Sequence, residues 1–157
     1  MQVQQAVRQP LNILMVEDNP GDVTLIENAF RKSMFAVNLV TAMHGEQMLD
    51  MLGRELKNGA AALPDLIILD LNLPKMPGHK VLEALRNDQS FQHIPVIVLS
   101  SSDDVKDIEK SFKLRANSYL VKPRDMVALR QLVVEIDSFW SDWLNRGHAE
   151  EVPVEDS

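Results

Sequence analysis

The sequence predicts an α/β fold, a doubly wound five-stranded parallel sheet with helices on both faces. Short apolar runs alternate with helical patterns along most of the 157 residues, which gives five β–α units in order. The runs are almost continuously apolar, as is typical of parallel strands that are covered on both faces. They are bounded by Pro, Asp and Asn, which favour strand ends and turns.

The five predicted strands are short and rich in apolar residues. They are Leu11–Val16, Ala36–Ala42, Asp65–Leu71, Pro95–Leu99 and Tyr119–Val121. In a doubly wound sheet, ligands bind beyond the carboxyl ends of the strands. The residues at those ends are therefore the candidates for function.

Five helical stretches separate or follow these strands. The first begins at Asn19 and Pro20, a good N-cap followed by a proline at the first helical position. The fourth opens at Ser102 and places Val105, Ile108 and Phe112 on one face. The fifth, about Asp125–Asn145, is the longest.

One domain, spanning residues 11–146 with its extended fifth helix, is predicted between two polar tails. Residues 1–10 are rich in Gln, and residues 147–157 carry four acidic residues and no Lys or Arg. Both segments are expected to fray. With neither an internal repeat nor a linker in the sequence, we expect a single-domain protein.

The composition excludes several classes of function. The chain has no cysteine, so disulfides, thiolate metal sites and cysteine nucleophiles are ruled out, and the cytoplasm is the expected compartment. The formal net charge of −7 argues against nucleic acid as a partner. No targeting segment is evident, and no apolar run approaches the roughly 20 residues of a membrane helix, so no membrane association is expected.

Polar and charged side chains stand at the ends of four predicted strands. Glu17 and Asp18 follow the first strand, Asp70 ends the third, Ser100 follows the fourth and Lys122 follows the fifth. Because the carboxyl ends of parallel strands meet at one edge of the sheet, we expect these groups to lie close together.

This set of groups predicts metal-assisted phosphoryl chemistry. Crowded carboxylates repel one another, so at least one pKa would rise unless a cation joined them. Oxygen ligands without cysteine favour a hard divalent ion, Mg²⁺ or Mn²⁺. A carboxylate beside such an ion, an ammonium and a hydroxyl can attack a phosphoryl group, because the cations neutralise the charge on the transferring oxygens.

Four motifs, in this order and spacing, resemble the CheY-like receiver domain of bacterial response regulators. They are MVEDNPGD at 15–22, LIILDLNLPKMPG at 66–78, IPVIVLSSS at 94–102 and SYLVKP at 118–123. The resemblance implies a flavodoxin-like strand order of 2-1-3-4-5. It also implies a two-component signalling module whose binding surface switches on phosphorylation, and no enzyme activity beyond catalysis of its own phosphorylation and dephosphorylation.

The resemblance assigns a role to each residue at the first and third strand ends. Asp70 would be the phosphoacceptor, taking its phosphoryl group from a phosphohistidine. Asp18 and Asp70 would bind Mg²⁺ directly, and Glu17 would act largely through water. Asn72 would offer its backbone carbonyl to the metal.

The same resemblance assigns the switch residues to the fourth and fifth strands. Lys122 would pair with Asp70 and then with the phosphoryl group, while Ser100 would bond a phosphoryl oxygen. Tyr119 would be the aromatic residue that swings inward when Ser100 moves. A cis peptide bond between Lys122 and Pro123 is also implied.

A sensor histidine kinase is the partner that the resemblance implies. The insertion Lys57–Pro64 and the late pair Phe139 and Trp140 are similar to single-domain regulators that partner phytochrome-type photoreceptor kinases. A kinase of that type is therefore the expected donor.

Two enzyme or carrier classes with the same architecture fit less well. An aspartyl-phosphate phosphatase needs a second Asp two residues after the nucleophile, where this chain has Asn72. A flavin carrier needs a phosphate loop after the first strand, where Glu17 and Asp18 would repel phosphate.

A homodimer through the fifth helix is also predicted. Asp125–Asn145 would measure about 32 Å at 1.5 Å per residue, so its last turns should extend past the sheet. Four apolar residues in those turns would then form an exposed patch of the kind that marks an interface. They are Phe139, Trp140, Trp143 and Leu144.

Overall fold

A computed structural model describes residues 10–147 of the chain. The two predicted tails therefore lie outside the described residues, apart from Pro10 and Gly147. The strands are β1 (Leu11–Val16), β2 (Val37–Ala42), β3 (Leu66–Leu69), β4 (Val96–Ser100) and β5 (Ser118–Val121). All five predicted strands are present, with ends that differ from the prediction by two residues at most.

Five α-helices connect or follow these strands. They are α1 (Pro20–Phe30), α2 (Gly45–Leu56), α3 (Gly78–Arg86), α4 (Val105–Lys113) and α5 (Met126–Asn145), and a short 3₁₀ turn (Ala60–Ala62) precedes β3. As predicted, Asn19 caps α1 and Pro20 opens it. Among residues 10–147, no helix combines the length and the apolar content that crossing a membrane requires.

The strands form one parallel sheet in the order β2-β1-β3-β4-β5. The predicted fold class and strand order are thus confirmed. Neighbouring strands run in register up to their carboxyl ends, where Val16 pairs with Ala42 and Leu69, and Ser100 pairs with Val121. The residues that follow these positions are therefore held along one edge.

The core lies on both faces of the sheet, which explains the continuous apolarity of the central strands. Leu66 and Ile68 of β3 face α1 and α5, whereas Ile67 and Leu69 face α2 and α3. All four residues of β3 are buried. A strand buried on both sides has no position for a polar residue until it ends, and Asp70 is the first residue after β3.

The aromatic residues near the C-terminal end of α5 pack differently from the prediction. Trp140 is 7% exposed and belongs to the core between α5 and the sheet. Phe139, Trp143 and Leu144 are partly buried and pack against the same core, and the rings of Phe139 and Trp143 stack with centroids 5.9 Å apart. The expectation that Trp140 projects into water is therefore wrong, because the helix lies along the sheet and covers it with this face.

Helix α4 leaves part of its apolar stripe in solvent. Val105 is 64% exposed and Phe112 is 47% exposed, and Ser111 is the one buried residue of the helix. The helix therefore contacts the domain mainly along the side that carries Ser111.

The Lys122–Pro123 bond is trans, so the expected cis bond is wrong.

Arg86, at the end of α3, is a buried cation that joins two loops. Its side chain makes five hydrogen bonds, and every acceptor is a carbonyl oxygen. The acceptors are the backbone oxygens of Gln92, Ile94 and Arg115, the last of them used twice, and the side-chain oxygen of Asn117. Arg86 thus connects α3 to the segments that lead into β4 and β5, and burial lowers the pKa of its guanidinium.

Candidate functional site

Three carboxylates meet at the carboxyl edge of the sheet. Glu17 and Asp18 follow β1, Asp70 follows β3, and each of these residues offers an oxygen within 4.8 Å of the others. Glu17 and Asp70 are buried, whereas Asp18 is exposed. The structure thus brings together the three side chains that the strand ends predicted.

The donor set of this cluster suits a hard divalent cation. All three groups supply carboxylate oxygens, which Mg²⁺ and Mn²⁺ prefer, and the exposed Asp18 leaves the cluster open to solvent on one side. Three negative charges this close together are unfavourable without a cation.

Lys122 supplies positive charge from the end of β5. Its Nζ lies 2.7 Å from Glu17 Oε1, 3.0 Å from Asp70 Oδ2 and 3.3 Å from Asp22 Oδ2. Burial by itself lowers the pKa of Lys122, but hydrogen bonds to Glu17 and Asp70 and the charges of these carboxylates outweigh it and raise the pKa overall. The side chain is therefore a firmly charged ammonium beside Asp70.

Burial raises the pKa of Glu17, and the Lys122 hydrogen bond opposes this shift. The charge of Asp70 raises the pKa further. Both Glu17 oxygens have partners, since Oε1 contacts Lys122 and Oε2 accepts the backbone N–H of Asn19 at 3.1 Å. These contacts hold the Glu17 carboxylate in place at the floor of the site.

Asp22 is a member of the site that the strand-end argument missed. It lies in the first turn of α1, and its backbone N–H donates to the Asn19 side chain at 3.1 Å. Its carboxylate points towards Lys122 although the two residues are far apart in sequence. The helix start at Pro20 could have indicated this residue. Because α1 begins close to the carboxyl end of β1, its first turn lies beside the site.

The backbone around Asp70 is closely packed. Asp70 Oδ1 accepts the N–H of Asn72 at 3.0 Å, and Gly78 donates its N–H to the Leu71 carbonyl at 2.9 Å. A Cβ on Gly78 would lie 2.5 Å from the Leu71 Cα, so only glycine lets α3 begin this close to the strand end. The carbonyl role of Asn72 stays a prediction.

Ser100 and Tyr119 both contact the loop between β4 and α4. Ser100 is fully buried, and its hydroxyl accepts the N–H of Ser102 at 3.2 Å. The Tyr119 hydroxyl donates to the Ser102 carbonyl at 2.8 Å. Ser102 in turn donates its hydroxyl to Asp107 of α4 at 2.6 Å. Ser102 therefore links Ser100 to Tyr119 and to α4, so a displacement of Ser100 would reach both through this one residue.

Comparison with known proteins identifies the family. The sequence model of the response regulator receiver domain matches residues 13–134. The probable methanogenesis regulatory protein FilR2 of Methanothrix harundinacea is 37% identical over 134 residues, which are 85% of this chain and 86% of that protein. Response regulator Rcp1 of Synechocystis is 34% identical over 131 residues, 83% of this chain and 89% of Rcp1.

Solved structures agree with this result. The phosphorylated cyanobacterial phytochrome response regulator RcpA is similar with a TM-score of 0.75 and 38% identity, covering 85% of this chain and 95% of RcpA. The Mn²⁺-bound form of Rcp1 is similar with a TM-score of 0.73 and 32% identity, covering 94% of this chain and all of that one. The chain belongs to the response regulator receiver domain family of two-component signalling proteins.

Proposed function

We propose that this receiver domain takes a phosphoryl group on Asp70 from the phosphohistidine of a sensor kinase. The observation that carries the proposal is the position of Asp70, which is buried at a strand end between a carboxylate cluster and the Lys122 ammonium. The phosphorylated form then presents a changed surface to its targets.

In the proposed transfer, an Asp70 oxygen attacks the phosphorus of the donor. A P–O bond forms, the P–N bond to the kinase histidine breaks, and its electron pair stays on the imidazole nitrogen. Lys122 is placed to neutralise a phosphoryl oxygen, since its ammonium already lies 3.0 Å from Asp70 Oδ2. The buried hydroxyl of Ser100, on the adjacent strand, is a candidate donor to another phosphoryl oxygen.

Glu17, Asp18 and Asp70 are the side chains that we propose to hold the divalent ion, with the Asn72 carbonyl as a further ligand. A bound Mg²⁺ or Mn²⁺ would supply charge neutralisation to the carboxylates and to the transferring oxygens. The existence of a Mn²⁺-bound form of the related Rcp1 supports the proposal that a divalent metal binds.

Labelling with a small phosphodonor tests both proposals. We expect phosphoramidate to add one phosphoryl group to the wild-type protein with Mg²⁺ present and none with EDTA, as measured by intact mass. Asp18→Ala should raise the Mg²⁺ concentration for half-maximal labelling by about tenfold or more, because a ligand is lost. Equal labelling with and without a divalent ion would contradict the proposed metal requirement.

The kinase partner is proposed to be of the phytochrome type and to act in the cytoplasm. Support comes from the similarity to RcpA, a cyanobacterial phytochrome response regulator. A groove beside Lys122 offers a docking surface, because Leu25 and Met126 line it and are 50% and 59% exposed. Phosphotransfer profiling against phosphorylated histidine kinases of the same genome would identify the donor.

A homodimer is proposed through the outer face of late α5. Phe139, Trp143 and Leu144 are only partly buried within one chain, which leaves part of each side chain for a second copy, and Trp140 supports them from the core. Sedimentation velocity at tens of micromolar should give a dimer for the wild type and a monomer for Phe139→Ala with Trp143→Ala. A wild-type monomer, phosphorylated or not, would rule this dimer out.

A further inference from the structure

The three carboxylate partners of Lys122 differ in kind. Glu17 and Asp70 belong to the cluster that suits a divalent cation, and Asp70 is also the proposed phosphoacceptor. Asp22 lies outside that cluster, in the first turn of α1, and its side chain is 37% exposed. Of the three partners, Asp22 alone is neither a proposed metal ligand nor the proposed phosphoacceptor.

This difference matters once the site is loaded. A cation held by the cluster neutralises Glu17 and Asp70 and repels an ammonium close to them. Only after transfer does an oxygen of the new acyl phosphate replace the Asp70 carboxylate as a partner of Lys122, so its partners are weakest while the cation is bound and the phosphoryl group has not yet arrived. Lys122 has a flexible four-carbon stem and is 18% exposed, so water can replace the weakened partners. Asp22 keeps its full charge through these steps.

We propose that Asp22 is a positioning residue that holds the Lys122 ammonium beside Asp70 while the metal and the phosphodonor occupy the site. The inference rests on the proposed phosphorylation of Asp70 and adds a residue to its machinery. Asp22 acts through Lys122 and does not touch the reacting atoms.

The helix cap fixes the backbone of Asp22 beside the site. Asn19 donates its backbone N–H to Glu17 Oε2 and accepts the Asp22 N–H on its side chain. One capping residue therefore holds both the buried Glu17 carboxylate and the backbone that carries the Asp22 side chain. The Lys122 ammonium therefore lies between Glu17, which follows β1, and Asp22, which lies at the start of α1.

The rate of labelling at saturating Mg²⁺ and saturating phosphoramidate tests the proposal. Asp22→Ala should slow it by about tenfold, because a misplaced group near a reaction centre costs that much or more. Asp22→Asn should recover part of the rate, since it keeps an oxygen that accepts from the ammonium. Glu27→Ala is the matched control, because it removes one exposed negative charge from the same helix and should react as the wild type does.

A wild-type rate for Asp22→Ala at saturation would overturn the proposal. This includes a defect that is seen at low Mg²⁺ and disappears as Mg²⁺ is raised, because Asp22 would then merely attract the cation.

Two further measurements ask whether Asp22 acts through Lys122. In a Lys122→Ala background, Asp22→Ala should have no additional effect on the labelling rate; an undiminished effect would contradict the proposal. In the Mg²⁺-loaded wild type, the Lys122 ammonium should give a ¹H–¹⁵N cross-peak that weakens in Asp22→Ala but not in Glu27→Ala. An unchanged cross-peak in Asp22→Ala would also contradict it.

The design separates this inference from the proposed function. Failure of phosphoramidate to label the wild type would reject the phosphoacceptor assignment, whereas the cross-peak would still test the contact between Asp22 and Lys122. Normal wild-type labelling together with a fully active Asp22→Ala variant would reject the positioning role alone.

Discussion

Replacement of Asp70 by Asn is expected to abolish phosphorylation by both phosphoramidate and a cognate kinase. The amide is uncharged and a poor nucleophile, and it cannot form the acyl phosphate. We expect labelling to fall by about 100-fold or more, since the nucleophile itself is lost. Intact mass after reaction in Mg²⁺ measures the effect directly.

Asp50→Asn is the matched control for this variant. Asp50 is an exposed acid on α2, so the substitution makes the same change in charge and shape away from the site. It should be labelled at the wild-type rate. Undiminished labelling of Asp70→Asn would mean that another residue accepts the phosphoryl group.

The second large effect is expected at Arg86 and concerns stability. Arg86→Ala removes five hydrogen bonds and takes these donors from the buried Ile94 carbonyl and from the part-buried carbonyls of Gln92 and Arg115, whereas the Asn117 oxygen keeps the N–H of Val96. We expect the free energy of unfolding to fall by about 3 kcal/mol, because unsatisfied buried polar groups cost roughly 1–3 kcal/mol each and relaxation recovers part of the loss. Urea unfolding followed by the fluorescence of Trp140 and Trp143 measures it.

Arg86→Lys separates the charge from the hydrogen-bond geometry. Lys keeps the cation but has three donors on a point charge, so it should recover only part of the lost stability. Arg54→Ala on the exposed side of α2 should change the free energy of unfolding by less than about 0.5 kcal/mol. A loss below about 1 kcal/mol in Arg86→Ala would show that water satisfies the freed carbonyls.

Much of the fold was predictable because its signals are local. Each central strand is a short apolar run, and the residue at its end marks the functional edge of the sheet. Glu17, Asp18 and Asp70 were found in this way, since parallel strands bring their carboxyl ends together whatever the sequence distance between them. The order of the strands, by contrast, came from the family resemblance.

The parts that sequence reasoning missed depend on tertiary geometry. Asp22 joins the site because the first turn of α1 lies at the carboxyl edge of the sheet, and no spacing rule connects it to Lys122. Trp140 is in the core because α5 lies along the sheet, whereas a helical pattern shows only which residues share a face. Val105 and Phe112 of α4 show the opposite outcome, since both belong to an apolar stripe and both are exposed. An apolar stripe does not reveal whether another element covers it.

The strand order also makes phosphorylation depend on completed folding of the sheet. Asp18 follows the first strand and Lys122 follows the last, and β3 and β4 stand between β1 and β5 in the sheet. A chain that has formed only its first half has carboxylates but no ammonium beside them. A partly synthesised or partly unfolded molecule would therefore make a poor acceptor. Phosphoryl transfer would then select finished molecules, so that a signal passes only through copies whose whole sheet has assembled.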